Sequence, residues 1–270
     1  MIATRPTLPA LLAYQPMYHM QPLTVTAELA TGISLARLAD IALDGILART
    51  LLEAILGAEY YLLPDAKTDP IFVSLPLALQ GPEASKMAAV PSGTWLDIQA
   101  DLQDHWWWYA CSATRGEVLA AETGYWNKRF DFSPGDAIYL GLSGRNQTMV
   151  IEKGRYKNAH QAMSIFHCQR LSWSVMGDGE QIEMLLSLVD VLAHKRNYGY
   201  GRVQRWRVEA ATQDESLWSA DGRLMRPVPS TLLGEIAPTL PADAPISLAW
   251  RAYRAPQWAV YNQTVCAIWN

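Results

Sequence analysis

The clearest regularity along the chain is alternation. Residues 23–31, LTVTAELAT, set Val25, Ala27 and Leu29 on one face and Thr24, Thr26 and Glu28 on the other. A period of two predicts a half-buried strand, because successive side chains point to opposite faces. Residues 43–57, LDGILARTLLEAILG, change period. Leu43, Ile46, Leu47, Thr50, Leu51, Ala54 and Ile55 follow the i, i+3, i+4, i+7 rule of an amphipathic helix. Asp40 is the expected N-cap and Gly57 the expected stop. Residues 71–79, IFVSLPLAL, predict a strand that Pro76 bends or confines to an edge. The Gly, Pro and Ser content of residues 80–93 predicts a loop. WLDIQADL, residues 95–102, alternates again and is expected to pair with WWWYACSAT, residues 106–114. From Arg115 to Gly154 the pattern is mixed, with a turn at Pro134–Gly135 and a hairpin tip at LSGRNQ.

The later part of the chain repeats the scheme. In RLSWSV, residues 170–175, Leu171, Trp173 and Val175 oppose Arg170, Ser172 and Ser174. A GDG turn, residues 177–179, leads into EQIEMLLSLVDVLA, residues 180–193. That segment predicts a second amphipathic helix through Ile182, Leu185, Leu186, Val189 and Leu192. RVQRWRVE, residues 202–209, predicts a closing strand with Trp206 and Val208 opposite Arg205 and Arg207. The order β-α-β, then β-α-β again, predicts an α+β fold: a ferredoxin-like (RRM-like) sheet with both helices on one face. The expected organisation is an N-terminal extension (1–20), a first half (21–80) and an inserted β-rich region (81–166), then a second half carrying a glycine-rich loop (167–210) and an irregular Pro-rich C-terminal extension (211–270).

Composition changes this picture little. Half of the 270 residues are hydrophobic and 18% are charged, which supplies a core and excludes a disordered chain. Cys111, Cys168 and Cys266 stand far apart in no metal-binding spacing, so they read as free thiols of a reducing compartment. The opening residues, with prolines at 6, 9 and 16, predict no secretory signal. Without a run of 18 apolar residues no membrane span is expected. The expected location is the cytoplasm, which the resemblance given below makes a prokaryotic one. The 11 tryptophans suggest either contact surfaces or heavy core packing.

Charge changes the picture more. The chain carries −4 overall, yet Lys153 to Arg207 holds nine Lys or Arg against four Asp or Glu, so the remainder carries −9. Because screening confines a surface field to roughly 10 Å, this local +5 matters more to a polyanion than the net sign. Two stretches concentrate it. HKRNYGYGRVQRW, residues 194–206, sets Tyr198, Gly199, Tyr200 and Gly201 among His194, Lys195, Arg196, Arg202 and Arg205. EKGRYKNAH, residues 152–160, sets Lys153, Arg155 and Lys157 around Tyr156. Glycines let the backbone approach a phosphate, successive N–H groups can form an anion-binding concavity, and tyrosine faces can stack on bases. The spacing matches neither a P-loop nor a dinucleotide fingerprint, and the loop follows a helix and precedes a strand, so no nucleotide cofactor is expected. The competing reading of each stretch is a helix cap or a solvated charged face.

The arrangement resembles the RAMP proteins of CRISPR systems, whose ferredoxin-like domain has a glycine-rich loop before its last strand. More narrowly, several pieces are similar to the Cas-five-type subunit of type IV CRISPR effectors. They are PLTVTAELAT, LDGILA (43–48), WNKRFD (126–131), GRYKNAH (154–160), the block from Met176 to Val208, RPVPS (226–230) and APQW (255–258), in order across roughly residues 20–260. The resemblance implies a non-catalytic subunit that caps the 5′ handle of the guide RNA. Its implied partners are the backbone-forming RAMP subunits and the large subunit, and it admits target DNA as a further one. Lys153, Arg155, Tyr156, Lys157, His194, Lys195, Arg196, Tyr198, Gly199, Tyr200, Gly201 and Arg202 become the expected RNA contacts, and the inserted region would be thumb-like.

Two alternatives stay open. Metal-independent cleavage of precursor RNA needs a base near the 2′-OH and a donor for the leaving group, for which His194, His160, His167, Lys157 and Tyr156 are available. His194 is expected to end a helix, where the dipole favours its charged form, and His167, in an apolar FHC context, reads as a core residue. No G-x-S-x-G motif or metal spacing is present; His19, His105, Asp97, Asp101 and Asp104 have no ligand-spaced companions. The other alternative is a binding module built on the run Trp106–Tyr109, whose exposed members would stack on a ligand.

Overall fold

The computed structural model describes residues 8–35, 37, 41–57, 71–96, 106–128, 159–192, 199–237, 244–255, 257 and 262–269. A short helix, α1 (Pro9–Leu12), precedes β1 (Gln21–Leu29) and the two-residue β2 (Ile33–Ser34). Next come α2 (Leu43–Leu56), β3 (Leu79–Gln80), α3 (Ala84–Ala88), β4 (Trp108–Tyr109) and β5 (Ala120–Lys128). The long β6 (Ala159–His167) turns directly into β7 (Arg170–Gly177), which leads to α4 (Gly179–Leu186) and β8 (Val203–Ala210). The last part holds β9 (Val228–Pro229), a 3-10 turn with α5 (Leu233–Ile236), β10 (Ile246–Ala252) and β11 (Gln263–Trp269). The chain is thus α+β, with small antiparallel sheets and few helices.

β1 occupies the centre of a sheet in the order β7-β1-β8. The alternation read from sequence sets the register. Val25 lies between Trp173 and Val208, and Ala27 between Leu171 and Trp206, so one face of the sheet is apolar throughout. α2 and α4 cover that face with Leu43, Leu47, Leu51, Ile182, Leu185 and Leu186, all buried in one core. Burying a leucine-sized side chain contributes about 1.5–3 kcal/mol, so this two-layer contact dominates the stability of the sheet. Trp173 fills its middle, fully buried, and its Nε1 donates to Ile41 O (3.1 Å) and Thr114 Oγ1 (2.8 Å).

Several expectations change. The helix at 43 has its N-cap at Ala42, with no side-chain cap bond, rather than at Asp40, which lies outside the described residues. It does stop at Gly57, whose φ of 57° ends the helical path. The helix after β7 starts at Gly179, capped by the Asp178 carboxylate, but ends at Leu186 instead of residue 193. Val189 and Leu192 continue the apolar pattern because the extended segment behind the helix is also packed inward. There Trp206 Nε1 donates to Val189 O (2.8 Å) and Val203 N to Asp190 O (2.8 Å). Residues 71–78 contribute only isolated bridges, Ile71 to Trp95 and Leu77 to Gly177, before β3 begins at Leu79, because Phe72, Val73, Leu75 and Leu77 are all buried instead of alternating. The loop expected at 80–93 contains α3, anchored by buried Met87. The expected partner strand at 95–102 is described only to Leu96, and β4 pairs with β3. Beyond β4 the chain runs along the free edge of β7, bridging Cys111 to Val175 and Arg115 to Ser172.

The run Trp106–Tyr109 joins two cores. Trp107 and Tyr109 enter the main core, while Trp108 points the other way into a second one with Leu224, Val228, Leu232, Tyr253, Cys266 and Ala267. Trp107, Trp108 and Tyr109 are 4%, 1% and 5% exposed, and Trp106 is half-buried against Tyr253. A ligand platform on this run is therefore corrected: both faces of the segment are used for packing. Trp250 is the exposed tryptophan among the described residues, opposite exposed Val265 on β10–β11.

Candidate nucleic-acid interface

The glycine-rich loop meets the end of β1 at a knot of backbone contacts. Gly201 N donates to Gly32 O (2.8 Å), and Gly201 O accepts from Leu192 N (2.8 Å). Gly201 has φ +74°, and a Cβ there would stand 2.1 Å from Leu192 O, so glycine is required. Thr31 makes a second fastening: its Oγ1 donates to Gly199 O (2.9 Å) and accepts from Arg202 N (3.0 Å). Sequence reasoning overlooked Thr31 and Gly32, though an Ala-Thr-Gly ending to an alternating strand is a turn signal. Gly199, at φ +80°, faces open space. Gly199 and Arg202 are exposed and Tyr200 is half-buried.

The structure thus brings Gly199, Tyr200, Gly201 and Arg202 together on one turn at the end of the β1–β8 pair. His194, Lys195, Arg196 and Tyr198 lie outside the described residues, as do Lys153, Arg155, Tyr156 and Lys157 of the other basic cluster, and His105, Asp97, Asp101 and Asp104. The helix expected to run on to His194 ends at Leu186, and the expectation for His194 itself falls outside the described residues.

The other histidines are placed differently from expectation. His167 is not a core residue; its side chain is 43% exposed and Nε2 lies 3.0 Å from Glu122 Oε1. His160 is exposed, bonded through Nδ1 to Asn127 Oδ1 and stacked on Tyr125 at 4.9 Å. The two occupy opposite ends of β6, about 23 Å apart at the rise of a strand, so they cannot share one reacting group. His19 is exposed, and its N–H donates to Asp178 Oδ2 (2.8 Å). Among the described residues no three His, Cys, Asp or Glu gather as a metal site, and no helix is long and apolar enough to cross a membrane.

A second polar cluster is buried. Asp44 Oδ1, in the first turn of α2, accepts from Gly45 N (2.8 Å) and from Gln257 Nε2 (3.1 Å). Burial raises the Asp44 carboxyl above the ordinary carboxylate range, although the charge of Arg226 and hydrogen bonds from Gly45, Gln257 and Ala255 oppose the shift. Arg226 is itself buried. Its Nη1 donates to Tyr109 O and Cys111 O (3.0 Å), its Nη2 donates to Tyr253 O, and its Nε has no hydrogen-bond partner among the described residues. Arg254 lies over the Trp107 ring at 4.6 Å. Thus LDGILA, RPVPS and APQW, far apart in sequence, converge on one buried junction. Their chemistry fastens the second core to α2, with Asp44 and Arg226 buried and Gln257 half-buried.

A family model described as CRISPR type IV associated protein Csf3 matches residues 98–267. The match takes in the glycine-rich loop, Arg226 and Gln257, and leaves β1 and α2 outside it. No curated protein matches the chain.

Proposed function

Since the chain belongs to the family of CRISPR type IV associated protein Csf3, the Cas5-like subunit of type IV systems, we propose that it binds the 5′ handle of the guide RNA and does not cut it. Membership makes the protein a CRISPR effector subunit with partners in a complex. The finer reading assigns it the capping position, against the backbone-forming subunits and the large subunit. One observation carries that reading. The loop at 199–202 is held from behind by Thr31, Gly32 and Leu192, which leaves Gly199 and the Arg202 side chain open to solvent. The N–H groups of Gly201 and Arg202 are spent on Gly32 O and Thr31 Oγ1, so what suits a phosphate is the exposed Gly199, with no Cβ to hinder approach, beside the Arg202 guanidinium, which makes no ion pair among the described residues. The strand order β7-β1-β8 and the two helices on one face support a ferredoxin-like RAMP domain, in which residues 77–78 and 111–115 take the remaining edge as separate bridges.

Incubating the purified chain with 5′-labelled RNA carrying the repeat handle, in the presence of a chelator, tests this. The expected result is a shifted, intact RNA. Cleavage lost in His194→Ala would transfer the assignment to metal-independent processing.

A further inference from the structure

The face of the β7-β1-β8 sheet turned away from the helices is polar, and its side chains are ordered in rows. Arg115 is bridged to Ser172, which pairs with Thr26, which pairs with Arg207. In the next row Arg170 pairs with Glu28, which pairs with Arg205. Directly paired residues of antiparallel strands share a face, so Ser172, Thr24 and Thr26 form a half-buried hydroxyl floor, beside which Ser174 is buried under Arg115. Arginines rise at both edges of that floor. Arg115 and Arg170 stand on one side, Arg205 and Arg207 on the other, roughly 10–14 Å across at the ordinary strand spacing.

The charges on this face are unequal. Glu28 is engaged by Arg207 at 2.8 Å, and Arg115 reaches Glu215 only at 3.9 Å while its Nη2 donates to Ser174 Oγ (2.6 Å). Arg170 and Arg205 are exposed and make no ion pair among the described residues. Arg202, also exposed, continues the Arg205 and Arg207 side into the glycine loop. All aromatic side chains of these three strands belong to the opposite, core face: Trp173 and Trp206 are packed together there.

We infer that this face is a trough for the sugar-phosphate backbone of single-stranded RNA, continuous with the glycine-rich loop. Guanidinium groups match phosphate oxygens in paired hydrogen bonds. The Ser and Thr hydroxyls are of a size to meet riboses, and without aromatics the face cannot stack bases, so recognition here is independent of sequence. An acidic protein segment would satisfy the arginines equally but would leave the hydroxyl floor unused. Two carboxylates on this face limit the affinity: Glu28, between Arg170 and Arg205, and exposed Glu209, which pairs with Thr24 in the row beyond Thr26.

This inference deepens the handle-binding reading and rests on it. The full chain, its Arg170→Gln/Arg205→Gln variant and its Glu28→Gln variant would be titrated with a 12-nucleotide oligouridine and with handle RNA over a range of salt. Two lost phosphate contacts should lower the log–log salt slope by about 1.4 on both RNAs alike. Glu28→Gln should tighten both, a gain that a merely structural role would not give. Wild-type affinity and slope in the double variant, with an unchanged thermal melt, would overturn the trough even if loop variants still lose handle RNA. Binding of oligouridine that falls in the double variant, without preference for the handle, would keep the trough and sink the handle reading. Failure of the wild type to bind either RNA at low salt would overturn both.

Discussion

Asp44 and Gln257 stand 213 positions apart in the chain and share a hydrogen bond of 3.1 Å inside the protein. Gly45 makes the approach possible, since a Cβ there would lie 2.8 Å from Gln257 Oε1. The contact closes the C-terminal segment over the start of α2. Because burial raises the Asp44 carboxyl, its contribution to stability is fully present below the ordinary value of 3.8 and is lost as pH rises through the raised native value. Urea unfolding of wild type and Asp44→Asn between pH 4 and 8 should show wild type losing ground to the amide variant as pH rises. A gap moving the other way would contradict this assignment.

Glycines 199 and 201 share a positive φ and should respond differently. Gly199→Ala meets open space and bears only the left-handed strain, about 1–2 kcal/mol. Gly201→Ala adds a collision with Leu192 O and must move the backbone. Chemical denaturation should therefore rank Gly201→Ala as clearly the more damaging, and the loss of RNA affinity in that variant should exceed the loss in Gly199→Ala.

Trp107 separates packing from ligand binding. Phe72 and Tyr109 meet its ring edge-on, and Arg254 lies over its face. Trp107→Ala should cost about 3–5 kcal/mol of stability. At temperatures where the variant is folded, its RNA affinity should match the wild type; a selective loss of binding in a stable variant would restore a ligand role for this ring.

Cys111 and Cys266 are both buried and their thiols are pushed up to about 12 by desolvation. Since the thiolate is the reactive form, a thiol reagent at pH 8 should leave both unmodified in the native protein and label them after unfolding. Rapid labelling of Cys266 in the folded chain would show that the second core opens, and of Cys111 that the main core does.

Much of the core was legible in the sequence because its strands bury one face each. The period of two placed Val25, Ala27, Leu171 and Trp173 correctly, and the helical period placed Leu47 and Leu51. Legibility failed where burial was two-sided. Phe72 to Leu77 and Trp106 to Tyr109 are packed on both faces, so their apolar runs carried no direction. It failed again past Leu186, where an extended segment kept the apolar spacing of the helix before it. Of the candidate site, the loop glycines and Arg202 could be found from composition. The arginine rows could not, because Arg115, Arg170 and Arg205 meet only through strand pairing across more than 50 residues.

The most direct test of the central claim is the affinity of the full chain for single-stranded RNA carrying the cognate 5′ handle, measured against salt beside a scrambled RNA. Arg155→Ala/Lys157→Ala and Lys195→Ala/Arg196→Ala would be compared with wild type. The expected result is intact RNA, a preference for the handle, and a salt slope that falls by about 0.7 for each phosphate contact removed. Equal affinity for handle and scrambled RNA, with slopes unchanged in both variants, would contradict it.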